Sequence, residues 1–115
     1  TCTMRCADIW RRIIAFNILK KNDLDILIYG TTMYQKRNYH NLMSDFNLEL
    51  PMYLNSKKLN EILENIKIKK GLNFFSYNLL HIYKILIQKE FFQKRELLYL
   101  KSWLKDCKNI KKNSN

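Results

Sequence analysis

A chain of 115 residues, 47% hydrophobic and 13% aromatic, holds enough apolar material for one modest core and too much for a disordered segment. Two glycines (Gly30, Gly71) and one proline (Pro51) are too few for the turns of an all-β fold, so the composition predicts an all-α protein. The formal net charge of +11 is lopsided: residues 57–115 carry fourteen Lys/Arg and five Asp/Glu (net +9), residues 1–56 seven and five (net +2), a bias that suits a polyanion or an acidic protein surface.

A first helix is expected over residues 7–21, with Ile9, Ile13 and Phe16 at helical spacing and Lys20 and Lys21 at its C-terminal, electronegative end. A second is expected over 24–29, ending near Gly30. The run Ile26-Leu27-Ile28-Tyr29 also fits a short strand, and helix is preferred because no nearby segment offers a pairing edge. A third, weaker helix follows over 34–46, with Tyr39, Leu42, Met43 and Phe46 as its apolar face. Residues 47–55, with Pro51, read as a connection. Asn55-Ser56 then reads as the cap of a fourth helix over 57–69. Gly71 suits a left-handed residue after it. The fifth helix, about 73–89, is apolar almost all round and so is expected to be central. The sixth spans 91–108, and the polar tail 109–115 is expected to fray. The expectation is a single domain over 1–108: five or six helices in antiparallel hairpins, as a compact bundle or a short solenoid-like stack.

The sixth helix carries the sharpest pattern. At 100° per residue, Lys94, Lys101, Lys105, Lys108 and Lys112 fall within about 60° of one another, along roughly 27 Å of axis. Tyr99, Leu100, Trp103, Leu104 and Cys107 lie away from them, which predicts a Trp103 face on the core and a lysine rail outward. Lysines so spaced can meet phosphates as point charges, with Arg11 and Arg12 of the first helix as a second contact. An ordinary solvated face fits the same pattern.

Residues 18–29 and 67–77 echo each other. Each has paired lysines (Lys20-Lys21, Lys69-Lys70), a turn residue, then Leu, apolar residues and Tyr. On the stretch from Leu59-Asn60-Glu61-Ile62-Leu63 to Phe74-Phe75 the chain resembles organellar RNA-binding helical repeats of the octotricopeptide and RAP-associated kind. That resemblance implies a non-catalytic RNA-binding or structural protein of a ribonucleoprotein, intracellular, with a mitochondrion or other organelle as a fitting compartment. Two other readings stay open: a secreted cytokine-like or effector-like bundle that binds a receptor, and a basic accessory subunit of a larger assembly.

Three cysteines, Cys2, Cys6 and Cys107, do not close a disulfide framework. Cys6 and Cys107 could pair in an oxidising compartment. His40 and His81 lie in no metal-ligand spacing, no glycine-rich phosphate loop is present, and no carboxylate pair or nucleophile motif stands out. On these grounds no cofactor, no membrane span and no catalysis are expected.

Overall fold

The computed structural model describes residues 4–36 and 38–113, with the backbone alone for residues 4, 5 and 111–113. Among the described residues there are four α-helices and no strand: α1 (Met4–Lys20), α2 (Leu42–Asn65), α3 (Phe75–Gln88) and α4 (Lys94–Asn113), with a 3-10 turn at Leu72–Phe74. The fold is all-α, as expected, with fewer and longer helices. None of them is long and apolar enough to cross a membrane.

α1 buries Cys6, Trp10, Ile14, Asn17 and Ile18, spaced to lie on one helix face. Ile9 and Phe16, expected on the core face, are exposed, so the buried stripe is rotated about one residue from the predicted one. The helix closes with Leu24 N–H on Leu19 O and Asp23 N–H on Lys20 O, with Asp23 left-handed at φ 59. That is the hydrogen-bond pattern of a Schellman cap.

The expected helix at 24–29 does not form. The described residues of 24–36 and 38–40 have no regular structure, and their apolar side chains are exposed. Six residues between an αL cap and Gly30 give too few turns to offset nucleation without a buried face. The expected third and fourth helices are instead one helix. α2 starts at Asn41, whose side chain accepts from Ser44 N–H at 3.1 Å, and passes through Pro51. Pro51 removes one helix hydrogen bond. Burial of Leu59 and Leu63 a few turns on keeps the segment helical. Asn55 and Ser56, expected to cap, lie inside α2 and donate to Pro51 O (2.8 Å) and Met52 O (2.6 Å), one turn back.

The echoing segments are not two copies of a hairpin. One ends α1 and continues without regular structure; the other leaves α2, turns and starts α3. They touch each other instead. Lys21 Nζ donates to Leu63 O (2.7 Å), Glu64 O (3.0 Å) and Ile66 O, carbonyls at the C-terminal end of α2. Burial holds the Lys21 pKa below its ordinary value, and Glu64 opposes that shift. Asn22 Oδ1 accepts Gly71 N–H, and Lys70 pairs with Asp23 at 3.0 Å. Gly71 has φ 105, and a Cβ there would meet Asn73 Oδ1 at 2.6 Å, so glycine is required.

The core joins Trp10, Ile14 and Ile18 of α1, Leu59, Leu63 and Ile66 at α2, and Ile82, Tyr83 and Leu86 of α3. Phe91, Leu100 and Leu104 complete it. α1 and α3 are the inner pair, α2 lying on α1 and α4 on α3. Phe91 and Phe92, expected in the sixth helix, precede α4 and pack on Trp10 at ring-centroid distances of 5.5 and 6.3 Å.

α3 also ends in a Schellman cap: Phe91 N–H bonds Leu86 O, Glu90 N–H bonds Ile87 O, and Glu90 is left-handed at φ 62. Asp tolerates that conformation through its short side chain, whereas Glu carries the Cβ penalty with no local bond to offset it. The Glu90→Gly variant is therefore expected to be more stable by about 1 kcal/mol. Urea titration followed by far-ultraviolet circular dichroism measures it; an unchanged or lowered midpoint contradicts the assignment of strain.

Candidate functional site

α4 sets its residues on three sides. Leu100 and Leu104 are buried and Leu97 is half-buried, so a leucine stripe meets the core. Lys94, Lys101, Lys105 and Lys108 are exposed along one flank of that stripe, and the Lys112 side chain lies outside the described residues. Tyr99 and Trp103 are on the opposite flank, 64% and 53% exposed. The expected contact of the Trp103 face with the core is thus corrected. The leucines have the better claim to the interior, because they bury fully without a polar group needing a partner. The helix continues to Asn113, past the point where a frayed tail was expected.

The aromatic flank of α4 forms one wall of a groove of about 380 Å³. Arg11, Ile14 and Ala15 of α1 line the second wall, Phe75, Leu79 and Tyr83 of α3 the floor, and Glu96, Tyr99, Leu100 and Trp103 the α4 side. The space exists because α4 packs along α3 and barely touches α1, and because Ala15 sets a methyl group where a larger side chain would fill the gap. The lining is apolar, with one guanidinium and one carboxylate among its side chains. Small-molecule sites have this make-up: rings for shape and area, and a few polar groups for orientation. Exposed Tyr and Trp faces carry the negative side of a ring quadrupole and accept polarised C–H groups, while Arg and Glu can donate to and accept from hydroxyls.

The other sequence candidates scatter. Arg12, next to Arg11 in sequence, is exposed and does not line the groove, being turned about 100° around the helix. Cys6 is buried, with Sγ on Leu48 O at 3.4 Å, whereas Cys107 is exposed, and no bond joins the two. Cys2 lies outside the described residues. His40 sits 3.7 Å from Asp45, and His81 stacks on Tyr77. Among the described residues no three His, Cys, Asp or Glu side chains gather as for a metal. Sequence reasoning missed Glu96 and the pairing of Tyr99 with Trp103. The available signal was two large aromatics four residues apart on α4 with a small residue, Ala15, on the facing helix.

The groove is a concave, mainly aromatic and apolar site with one cation and one carboxylate on its lining. The chain belongs to the STELLO glycosyltransferases, whose family model matches residues 5–114. No curated protein and no solved structure matches the chain. Membership overturns the likeness to octotricopeptide and RAP-associated repeats, and with it the RNA-binding, ribonucleoprotein reading. The secreted-bundle and accessory-subunit readings lose their support on the same finding, and so does the expectation of no catalysis. The misreading has a physical source. Amphipathic hairpins rich in Leu, Ile, Lys and Asn look alike whatever they do, and fold-level likeness does not fix function.

Proposed function

We propose that this chain serves glycosyl transfer and that the groove between α1, α3 and α4 holds a sugar. Family membership over residues 5–114 carries the reading. The groove supplies the chemistry. Trp103 and Tyr99 offer faces to the C–H side of a pyranose ring, and Arg11 and Glu96 bond its hydroxyls from opposite walls. A net charge of +11 favours the approach of anionic, phosphate-activated sugars.

Fluorescence titration tests this directly, because Trp10 is 1% exposed and Trp103 is 53% exposed, so a ligand in the groove perturbs Trp103 alone. Titration with a panel of free and nucleotide-activated sugars is expected to give saturable quenching. Trp103→Phe removes the reporter, so competition against a labelled sugar measures Trp103→Ala and Arg11→Ala, each expected to weaken binding about tenfold. A panel without saturation, or affinity unchanged in both alanine variants, overturns the assignment of the groove.

A further inference from the structure

A second group of exposed apolar side chains falls on residues that do not line the groove. Among the described residues twenty-four large hydrophobic side chains are exposed, and fifteen of them fall between Leu24 and Leu54. Ile28, Tyr29, Met33, Tyr34 and Tyr39 are 76–99% exposed. The three tyrosines alone show water on the order of 500 Å². Leu27, Leu42, Met43 and Leu54, each about 70% exposed or more, take the surface towards the roughly 800 Å² per partner of a stable interface. So long a run of exposed apolar side chains in one stretch of chain is the composition of an interaction surface. The Cα radius of gyration, 16.2 Å against about 13 Å for a compact chain of this length, reflects the same stand-off segment.

The backbone says which kind of partner fits. After Leu24 N–H on Leu19 O, no described residue from Asp25 to His40 bonds backbone to backbone with the rest of the chain. The exposed N–H and C=O groups beside Ile26, Leu27, Ile28 and Tyr29 have no backbone partner within the described chain and are open to pairing, and β-branched and aromatic residues favour strands. We infer that residues 24–29 are a pairing strand, and that two copies of this chain join through it in antiparallel register centred on Leu27. An edge of this kind is self-complementary about a two-fold axis, the commonest symmetry of oligomers. The register places Ile26 across from the partner's Ile28 and Asp25 across from the partner's Tyr29. A parallel, in-register pairing instead sets Asp25 against its own copy, a like-charge contact. The start of α2 also exposes apolar side chains, Leu42, Met43 and Phe46. This inference stands independently of the sugar reading.

Light scattering on the eluting protein across a dilution series tests it, with Leu27→Pro as the variant, since proline removes a ladder donor and resists a paired strand. The segment lies outside the core, so the melting temperature of the dissociated variant serves as the check on folding. Wild type is expected to give the mass of two chains, dissociating on dilution, and Leu27→Pro the mass of one. A wild type that stays a single chain throughout the series overturns the inference, and so does a dimer that Leu27→Pro leaves intact. In a Cys2→Ser, Cys107→Ser background, Leu27→Cys is expected to cross-link two chains on oxidation and Ile26→Cys is not. Equal cross-linking of both overturns the register.

Discussion

Trp10→Ala is expected to lower stability by about 3–5 kcal/mol, a large fraction of the roughly 5–15 kcal/mol that holds a domain of this size together. Trp10 is 1% exposed, and two separate elements meet on its indole. Phe91 and Phe92 pack tilted against it from the connection before α4, and Ser56 Oγ takes its indole N–H at 3.2 Å from α2. Alanine leaves a void that those neighbours cannot all close at once, because Phe91 is also fixed as the last residue of the cap on α3. Trp10→Phe keeps most of the ring area and loses the bond to Ser56, whose hydroxyl still donates to Met52 O, so a cost of only about 1–2 kcal/mol is expected. Urea denaturation of the two variants measures both. A loss below about 1 kcal/mol for alanine would mean that Trp10 is not the centre of the core.

Asn78→Ala is the second large effect. Asn78 is fully buried and reads the backbone of one residue twice: Oδ1 accepts Lys69 N–H at 2.9 Å and Nδ2 donates to Lys69 O at 2.8 Å. The pair substitutes for a strand ladder and pins the irregular link between α2 and α3 to the inner helix. Alanine orphans a donor and an acceptor together, and about 2–4 kcal/mol is expected to be lost. Asn78→Asp discriminates between bond and volume. In that variant an ionised carboxylate cannot donate to Lys69 O, whereas the protonated acid can. Burial and this bond both favour the neutral form, so the introduced carboxyl has a folded pKa above its unfolded value of about 3.9. The stabilisation is then present below the unfolded pKa and lost as pH rises through the folded one. Denaturation at acid and neutral pH, each referred to wild type at the same pH, is expected to show the aspartate variant closer to wild type in acid. A pH-independent gap would rule out the paired bonds as the cause.

How far the sequence was legible depends on which force decided each element. The helical class followed from scarce glycine and proline, and α3 and α4 were visible because their apolar residues recur over several turns. Where two local signals competed, the longer-range force won. Pro51, Asn55 and Ser56 form a stop-and-restart signal, yet burial of Leu59 and Leu63 carried α2 through it. On α1 both Ile9-Ile13-Phe16 and Trp10-Ile14-Ile18 repeat at helical spacing. Only the surroundings choose between them, and Trp10 was chosen by aromatic partners about 80 residues away in sequence. The segment at 24–29 was ambiguous for the opposite reason: its pairing partner is not among its neighbours. The groove was the least legible part. It arises from where α4 fails to reach α1, a property of packing that no single helix encodes, although Arg11 was singled out as a contact residue and does line it. Family membership was not visible in any short motif.

The clasp between the end of α1 and the end of α2 has a consequence for how the chain folds. Lys21 meets Leu63, Glu64 and Ile66, and Asn22 meets Gly71, so these bonds close only after more than forty residues have been drawn into a loop. Helical proteins usually fold fast because their contacts are local. Here α1 can coil on local contacts alone, whereas the clasp adds a long-range closure whose entropy opposes the folded state. Closure entropy grows only slowly with length, at about 0.6 kcal/mol per doubling. The unstructured stretch before α2 is therefore the place where evolution can add residues at little thermodynamic cost, while the clasp itself fixes where the two ends must meet.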